Sequence, residues 1–343
     1  INTFAAYMQK FLIIQTAFIG DVVLATALVE KLALFYPDTQ IDFLVRKGNE
    51  SLLQNNPHLH EVLIWNKKKK KTRNLLGMLK QIRRNRYDKV INVQRFFSTG
   101  LLTAFSGAGE TIGFNKNPLS FLFSRKITHA ITKTRQSKHE VERNNDLIAS
   151  FTDDSLIRPV LYPSEKDREF AKSFAGRPYV TISPGSVWFT KKFPVEKWIE
   201  LIRNFPANYS IYLLGGPDNK QECEQLREQA GNTNVTVVAG QLSFLQSAAL
   251  MKNAVINYVN DSGPLHFASA VNAPVAAIFC STVPAFGFTP LSDQSFIIET
   301  TENLPCRPCG LHGHRECPEK HFRCARTIQV GQLLSIIPPV SHV

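Results

Sequence analysis

Residues 254–279, AVINYVNDSGPLHFASAVNAPVAAIF, decide the fold. Ala254-Val255-Ile256 is an apolar run too short for a helix and predicts a buried strand. Asn260-Asp261-Ser262-Gly263 breaks the run with residues that cap helices, and Pro264 suits a first helical turn. Small and apolar residues follow over 265–271, and residues 274–279 predict a second buried strand. Strand, sharp turn, helix and strand make a parallel βαβ unit. In such sheets ligands bind at the carboxyl ends of the strands, and a helix N-terminus there favours an anion. Asp261 stands at that rim, suited either to accept bonds from ribose hydroxyls or to cap the helix.

Upstream, the same alternation continues. Residues 179–182, 210–214 and 235–238 read as strands, with helices over 195–205, 219–230 and 244–252. The first half repeats it, with strands at 11–14, 41–45, 62–65 and 89–93 and helices over 21–35 and 74–86. Residues 111–134 lose the pattern among Gly113, Asn115 and Pro118, and 139–151 reads as a helix. The polar, proline-punctuated residues 152–163 suit an inter-domain linker. The division is therefore 8–160, 161–326 and an apolar-periodic tail, 327–343, expected to return to the first domain. Two tandem α/β domains leave a cleft between their facing strand ends. Lys10, an apolar run and Ala25-Thr26-Ala27 imitate a signal peptide, but Asp21 interrupts it and a first strand with its turn explains the pattern. Residues 1–7 read as a leader before Met8. The longest uncharged stretch, 267–292, carries three prolines, so no membrane span is expected and the location reads as cytoplasmic.

A chain of 343 residues with 43% hydrophobic and 20% charged residues has the composition of a globular protein of two domains, not a disordered one. Its net charge of +12 is uneven: Lys and Arg against Asp and Glu number 24 to 13 in residues 1–162 and 16 to 15 thereafter. The first half should face something anionic. Lys67, Lys68, Lys69, Lys70 and Lys71, with Arg73, Lys80, Arg83, Arg84 and Arg86, surround one predicted helix. This patch fits an anionic membrane surface, or a plain solvated face. Aromatics interleaved for base stacking are missing, which disfavours nucleic acid.

Two loops can carry chemistry. Ser183-Pro184-Gly185-Ser186 follows a strand, and Thr190-Lys191-Lys192-Phe193-Pro194 leads into a helix. Short donors, close backbone approach and adjacent lysines suit a diphosphate. The Walker spacing and G-x-G-x-x-G are both absent. Asp21, after Gly20 at the first strand-to-helix turn, suits a general base toward a hydroxyl, or a helix cap. Cys306-x2-Cys309, Cys317 and Cys324 lie close to His312, His314 and His321. That set is compatible with tetrahedral zinc, but the second pair is spaced too widely for a zinc ribbon and suits a structural or acceptor-side loop better.

Taken together, Phe18-Ile19-Gly20-Asp21-Val22-Val23-Leu24-Ala25-Thr26, Pro184-Gly185 with Lys191-Lys192-Phe193-Pro194, and Asn260-Asp261-Ser262-Gly263-Pro264-Leu265-His266 resemble one family. It is the ADP-heptose:lipopolysaccharide heptosyltransferases, glycosyltransferase family 9, and the likeness runs from Met8 to about Ile337. The resemblance implies a GT-B architecture, two Rossmann-like domains facing across a cleft. It implies inverting transfer of heptose from ADP-heptose to the Kdo/heptose inner core of lipopolysaccharide, with no cofactor or metal required, on the inner face of the inner membrane. It carries Asp21 over as the base beside Gly20, and Lys191 as the catalytic, diphosphate-binding lysine. Ser183, Gly185, Ser186, Thr190 and Lys192 surround it, and Asp261, Ser262, Gly263, Pro264, Leu265 and His266 form the nucleotide-sugar loop. Phe193 stands where many members have Trp, and Ser186 where a small residue is usual. The alternatives are another GT-B nucleotide-sugar glycosyltransferase, a sugar-nucleotide epimerase, and a basic nucleic-acid-binding protein.

Overall fold

The computed structural model describes residues 8–68, 70–132 and 137–337. Residues 1–7 (read above as a leader), Lys69 of the basic run, residues 133–136 and the last six residues lie outside the described residues. The chain divides into two compact units, residues 1–131 with 140–160, and residues 132–139 with 161–343.

The first unit holds six parallel strands: β1 (Lys10–Ile14), β2 (Gln40–Arg46), β3 (Glu61–Trp65), β4 (Lys89–Asn92), β5 (Glu110–Phe114) and β6 (Arg125–Ile127). Their order, β3-β2-β1-β4-β5-β6, reverses between β1 and β4. Phe11 to Ile14 of β1 are buried on both faces, as a central parallel strand requires. The helices are α1 (Ile19–Phe35), α2 (Lys71–Asn85), α3 (Phe97–Ala104) and α4 (Glu140–Asn145). α1 is apolar almost all round and buries residues from Val22 to Val29, whereas α2 buries only Met78 and Ile82 and turns its basic face outward. Lys31 of α1 is buried and donates to the carbonyls of Asp153 and Ser155, each at 2.6 Å, which ties the linker region to this unit.

Three sequence expectations need correction here. Residues 111–134 contain β5 and β6, and α3 was not foreseen. The helix expected over 139–151 shrinks to α4, where Arg143 Nε binds Glu140 at 2.7 Å. Glu140 is held below the usual carboxylate range: burial alone would raise it, but the hydrogen bond from His129 and the charge of Arg143 outweigh burial.

The second unit repeats the plan with β7 (Tyr179–Ser183), β8 (Ser210–Leu213), β9 (Val235–Val237), β10 (Ile256–Asn260), β11 (Val275–Phe279) and β12 (Ser295–Glu299). The order β12-β11-β10-β7-β8-β9 reverses between β7 and β10. α5 (Glu165–Lys172) was missed, although Ser164 and Asp167 cap it reciprocally. α6 (Val195–Arg203) buries Trp198, Leu201 and Ile202. α7 (Lys220–Ala230), α8 (Phe244–Lys252) and α9 (Gly263–Ala270) complete the covering layers.

β10 starts two residues later than the sequence suggests and includes two asparagines. Both are buried and paired: Asn257 Nδ2 donates to Met251 O at 2.9 Å and to Pro274 O at 2.8 Å. α10 (Arg323–Arg326) ends just before the tail, and α11 (Val330–Leu334), within it, is grouped with the second unit. Ile328, Val330 and Leu333 are buried in the second unit's core, where Tyr258 Oη donates to Leu333 O at 2.9 Å. Among the described residues no helix is long and apolar enough to cross a membrane.

Candidate functional site

In the second unit, the strand order reverses where β7 and β10 lie side by side, with Ser183 opposite Val259. The crevice beyond such a reversal is where open α/β sheets bind ligands. Ser183-Pro184-Gly185-Ser186 leaves β7 there, and Asp261-Ser262 leaves β10. Asn260 joins the two: its Nδ2 donates to Pro184 O at 2.7 Å, and its Oδ1 accepts from Phe193 N at 2.9 Å. A methyl group on Gly185 would lie 2.5 Å from Asn219 Nδ2, so a side chain there would push the Asn219 amide aside.

Lys191 Nζ meets Asp261 Oδ2 at 2.7 Å, and Thr282 Oγ1 donates to the same oxygen at 2.7 Å. Asp261 is buried, and its side chain does not cap α9; Ser262 is the N-cap residue. The phosphate-loop and nucleotide-loop residues expected from sequence thus converge in Lys191 and Asp261. Thr190 is buried and its hydroxyl lies 3.0 Å from Ser281 Oγ. Ser183 is also buried at the end of β7, and Ser186 Oγ accepts from Trp188 N at 3.4 Å.

Other expected residues are placed differently. Lys192 turns away to Glu222 of α7, at 3.0 Å. Leu265 is a core side chain and its amide binds Ser262 O at 3.1 Å, while Pro264 has no N–H. Ser262 and Gly263 are therefore the residues whose amides can serve an anion at the start of α9. His266 is buried on the same helix. Asn260, Thr282 and Ser281 were not among the expected site residues. Only the position of Asn260 directly before Asp261 could have signalled it.

The cysteine segment adjoins this loop without forming a metal cage. Among the described residues no group of three or more His, Cys, Asp or Glu side chains stands so as to hold a metal ion. All six cysteines are free. Burial pushes Cys324 up to about 12, with Cys309, Cys317 and Cys306 adding to the shift. Burial also raises Cys309, and the neighbouring Cys306 and Cys317 raise it further.

In the first unit Gly20 is buried in the first turn of α1, and Asp21 Oδ2 accepts from Phe18 N at 3.2 Å. Asp21 therefore braces the helix start, whatever else it does. Behind it, buried amides that the sequence did not reveal fill the carboxyl ends of β1 and β4. Gln94 Nε2 donates to Gln15 Oε1, and Asn92 Oδ1 accepts from Gln94 N at 2.8 Å. Lys67 departs from the solvated run: its Nζ donates to Thr16 Oγ1 at 2.6 Å and lies 4.6 Å from the centre of the Trp65 ring. Burial, then the Arg46 charge, pushes its pKa down to about 8. Further along, Leu76, Leu79, Lys80, Arg83, Arg84 and Arg86 line an open groove of ≈ 510 Å³ on α2.

Two doubly wound parallel sheets, one carrying a lysine–carboxylate pair at its switch point, have the GT-B fold. The profile of glycosyltransferase family 9 (heptosyltransferase) matches residues 75–321, and the chain belongs to that family. Among curated relatives, lipopolysaccharide heptosyltransferase 3 of Escherichia coli is 29% identical over 279 residues, 77% of this chain and 82% of that protein. Lipopolysaccharide heptosyltransferase 1 of Pseudomonas aeruginosa is 26% identical over 313 residues, 88% and 86% of the two chains. The solved E. coli ADP-heptose lps heptosyltransferase II superposes with a TM-score of 0.77 at 21% identity, covering 95% of this chain and 97% of its own. That likeness shares the fold.

Proposed function

We propose that this glycosyltransferase moves a heptose from ADP-heptose to the inner core of lipopolysaccharide, with inversion at the anomeric carbon. The observation that carries the donor half is the Lys191–Asp261 pair at the β7/β10 switch point. Lys191 offers the cation for a diphosphate, with the amides of Ser262 and Gly263 at the start of an eight-residue helix beside it. The similarity to lipopolysaccharide heptosyltransferases and to an ADP-heptose lps heptosyltransferase supports the choice of sugar and acceptor.

The steps follow from charge. An acceptor hydroxyl attacks the anomeric carbon while Asp21 accepts its proton, and the nucleoside diphosphate departs from the opposite face. Negative charge grows on the leaving phosphate, where Lys191 and the α9 amides stabilise it most in the transition state. Lysine and helix dipole supply this role without assigning a metal to the reaction. Asp261 holds Lys191 when no phosphate is bound, so donor binding exchanges one anionic partner for another.

On the acceptor side, the basic face of α2 and its groove suit phosphates of a glycolipid and the anionic inner leaflet. Binding to phosphatidylglycerol vesicles should weaken when Lys68, Lys70 and Lys71 are neutralised. The test of the whole reading is a binding panel of ADP-, UDP- and GDP-sugars. ADP-heptose should bind best, and equal binding of the three classes removes the donor assignment.

A further inference from the structure

Lys191 is gripped from outside its own loop. Thr190 and His314 form a two-way link: Thr190 N donates to His314 O at 3.1 Å, and His314 N donates to Thr190 Oγ1 at 2.8 Å. Ser281 adds a second tie, its amide donating to Thr190 O at 3.2 Å. The cysteine-rich segment is itself pinned to the end of β11. Arg307 donates to the carbonyls of Cys280 (2.8 Å), Phe279 (3.1 Å) and Thr282 (2.9 Å), and Cys309 N donates to Ser281 O at 3.0 Å. Between these anchors His314 Nε2 closes the loop onto Cys309 O.

Gly313 sits at the contact. A methyl group there would lie 2.9 Å from Thr190 Oγ1, 3.0 Å from Lys191 Cγ and 3.3 Å from Trp188 Cβ, and its φ of +76° is one that L side chains rarely adopt. None of those atoms is a free side-chain end. Thr190 is buried with both polar groups engaged, and Cγ belongs to the stem of Lys191. A side chain at 313 therefore presses on the Thr190 hydroxyl and, by a few tenths of an ångström, on the stem of Lys191.

We propose that Gly313 and Arg307 are positioning residues for Lys191: the cysteine-rich segment is a clamp that sets where the lysine's ammonium stands. This rests on the reading of Lys191 as the phosphate-binding lysine. It gives the segment a task in donor binding that needs no metal and no thiol chemistry. Arg307 acts through the carbonyls around Thr282, the hydroxyl partner of Asp261, and Gly313 acts on Lys191 by direct contact.

The test is calorimetric binding of ADP to the full chain. Lys191→Ala should weaken ADP about 10–100-fold, the loss of one charge-assisted hydrogen bond. Gly313→Ala should weaken it about tenfold or more by the same route, and the Gly313→Ala/Lys191→Ala double variant should bind no worse than Lys191→Ala, because coupled sites are not additive. Gly231→Ala is the control for left-handed backbone strain outside the segment: its φ is +65°, and no atom lies within 4 Å of an added methyl. It should leave ADP binding near the parental value. Thr190→Val removes the hydroxyl link without adding bulk and should weaken ADP as well, which keeps the test open if Gly313→Ala fails to fold. Multiplied losses in the double variant, or equal loss in Gly231→Ala, would overturn the clamp. Parental binding by Gly313→Ala beside weak binding by Lys191→Ala overturns the clamp alone. Parental binding by Lys191→Ala removes the phosphate reading and the clamp with it.

Discussion

Converting Asp261 to Asn tests whether the Lys191–Asp261 pair is a real energetic unit. The variant keeps the shape and leaves an oxygen for the Thr282 hydroxyl, but it strands a cation whose side chain is only 15% exposed. Removing one partner of a buried pair costs about 3–5 kcal/mol, and the residual exposure of Lys191 argues for about 3. For a unit of this size that is a fall in Tm of about 6–12 °C. The melt is best followed by tryptophan fluorescence in a Trp65→Phe background, since the other two tryptophans, Trp188 and Trp198, belong to the second unit. Lys191→Met should cost a similar amount by leaving the carboxylate alone with Thr282. The Asp261→Asn/Lys191→Met double variant, with no charge left, should be about 2 kcal/mol more stable than the sum of the single losses. Additivity within about 0.5 kcal/mol would refute the coupling and with it the idea that each group is held for the other.

Asp21→Asn should retain donor KM while turnover falls about 10²–10⁴-fold, because asparagine replaces the cap bond to Phe18 N but cannot take a proton; near-parental turnover in the folded variant removes Asp21 from the chemistry. Lys67, with a pKa of about 8, should lose its charge as pH rises from 7 to 9, and binding to phosphatidylglycerol vesicles should drop about fivefold, one basic residue's share. Lys67→Arg should flatten that profile, and an unchanged drop would assign the titration to another group. Glu140, whose folded pKa is depressed, contributes stability that is present above its unfolded value of about 4.3 and is lost as pH falls through the folded value. Glu140→Gln should therefore shallow the acid limb of the first unit's Tm profile below about pH 5, and an identical limb in both proteins counts against it.

The sheet plan was legible because central parallel strands are continuous apolar runs, such as Phe11 to Ile14 and Val275 to Phe279. What escaped was structure paid for by polar side chains. In the sequence Asn257 and Asn260 look like loop residues, yet their side-chain amides are satisfied in the core by the carbonyls of Met251, Pro274 and Pro184. α5 carries its cap at Ser164 but is too polar to show an apolar face, burying only Ala171. The tail has apolar periodicity, and periodicity says that a surface is covered without naming the unit that covers it. At the site, Lys191 and Asp261 followed from residue type and strand-end position. The ion pair between them did not, since 70 positions separate the partners. Lys67 and Lys71 are indistinguishable as letters; only the fold brings Trp65 and Thr16 to one of them.

Asn260 has a consequence for anyone who wishes to redirect this enzyme to another donor. Its amide spans the loop after β7 and the segment entering α6, so those two stretches of chain are mechanically one part. Grafting residues 184–193 from a relative without a hydrogen-bonding side chain at 260 would transplant the outline of the pocket and lose its joinery. Exchange of modules in this scaffold therefore has to follow the hydrogen bonds rather than the loop boundaries.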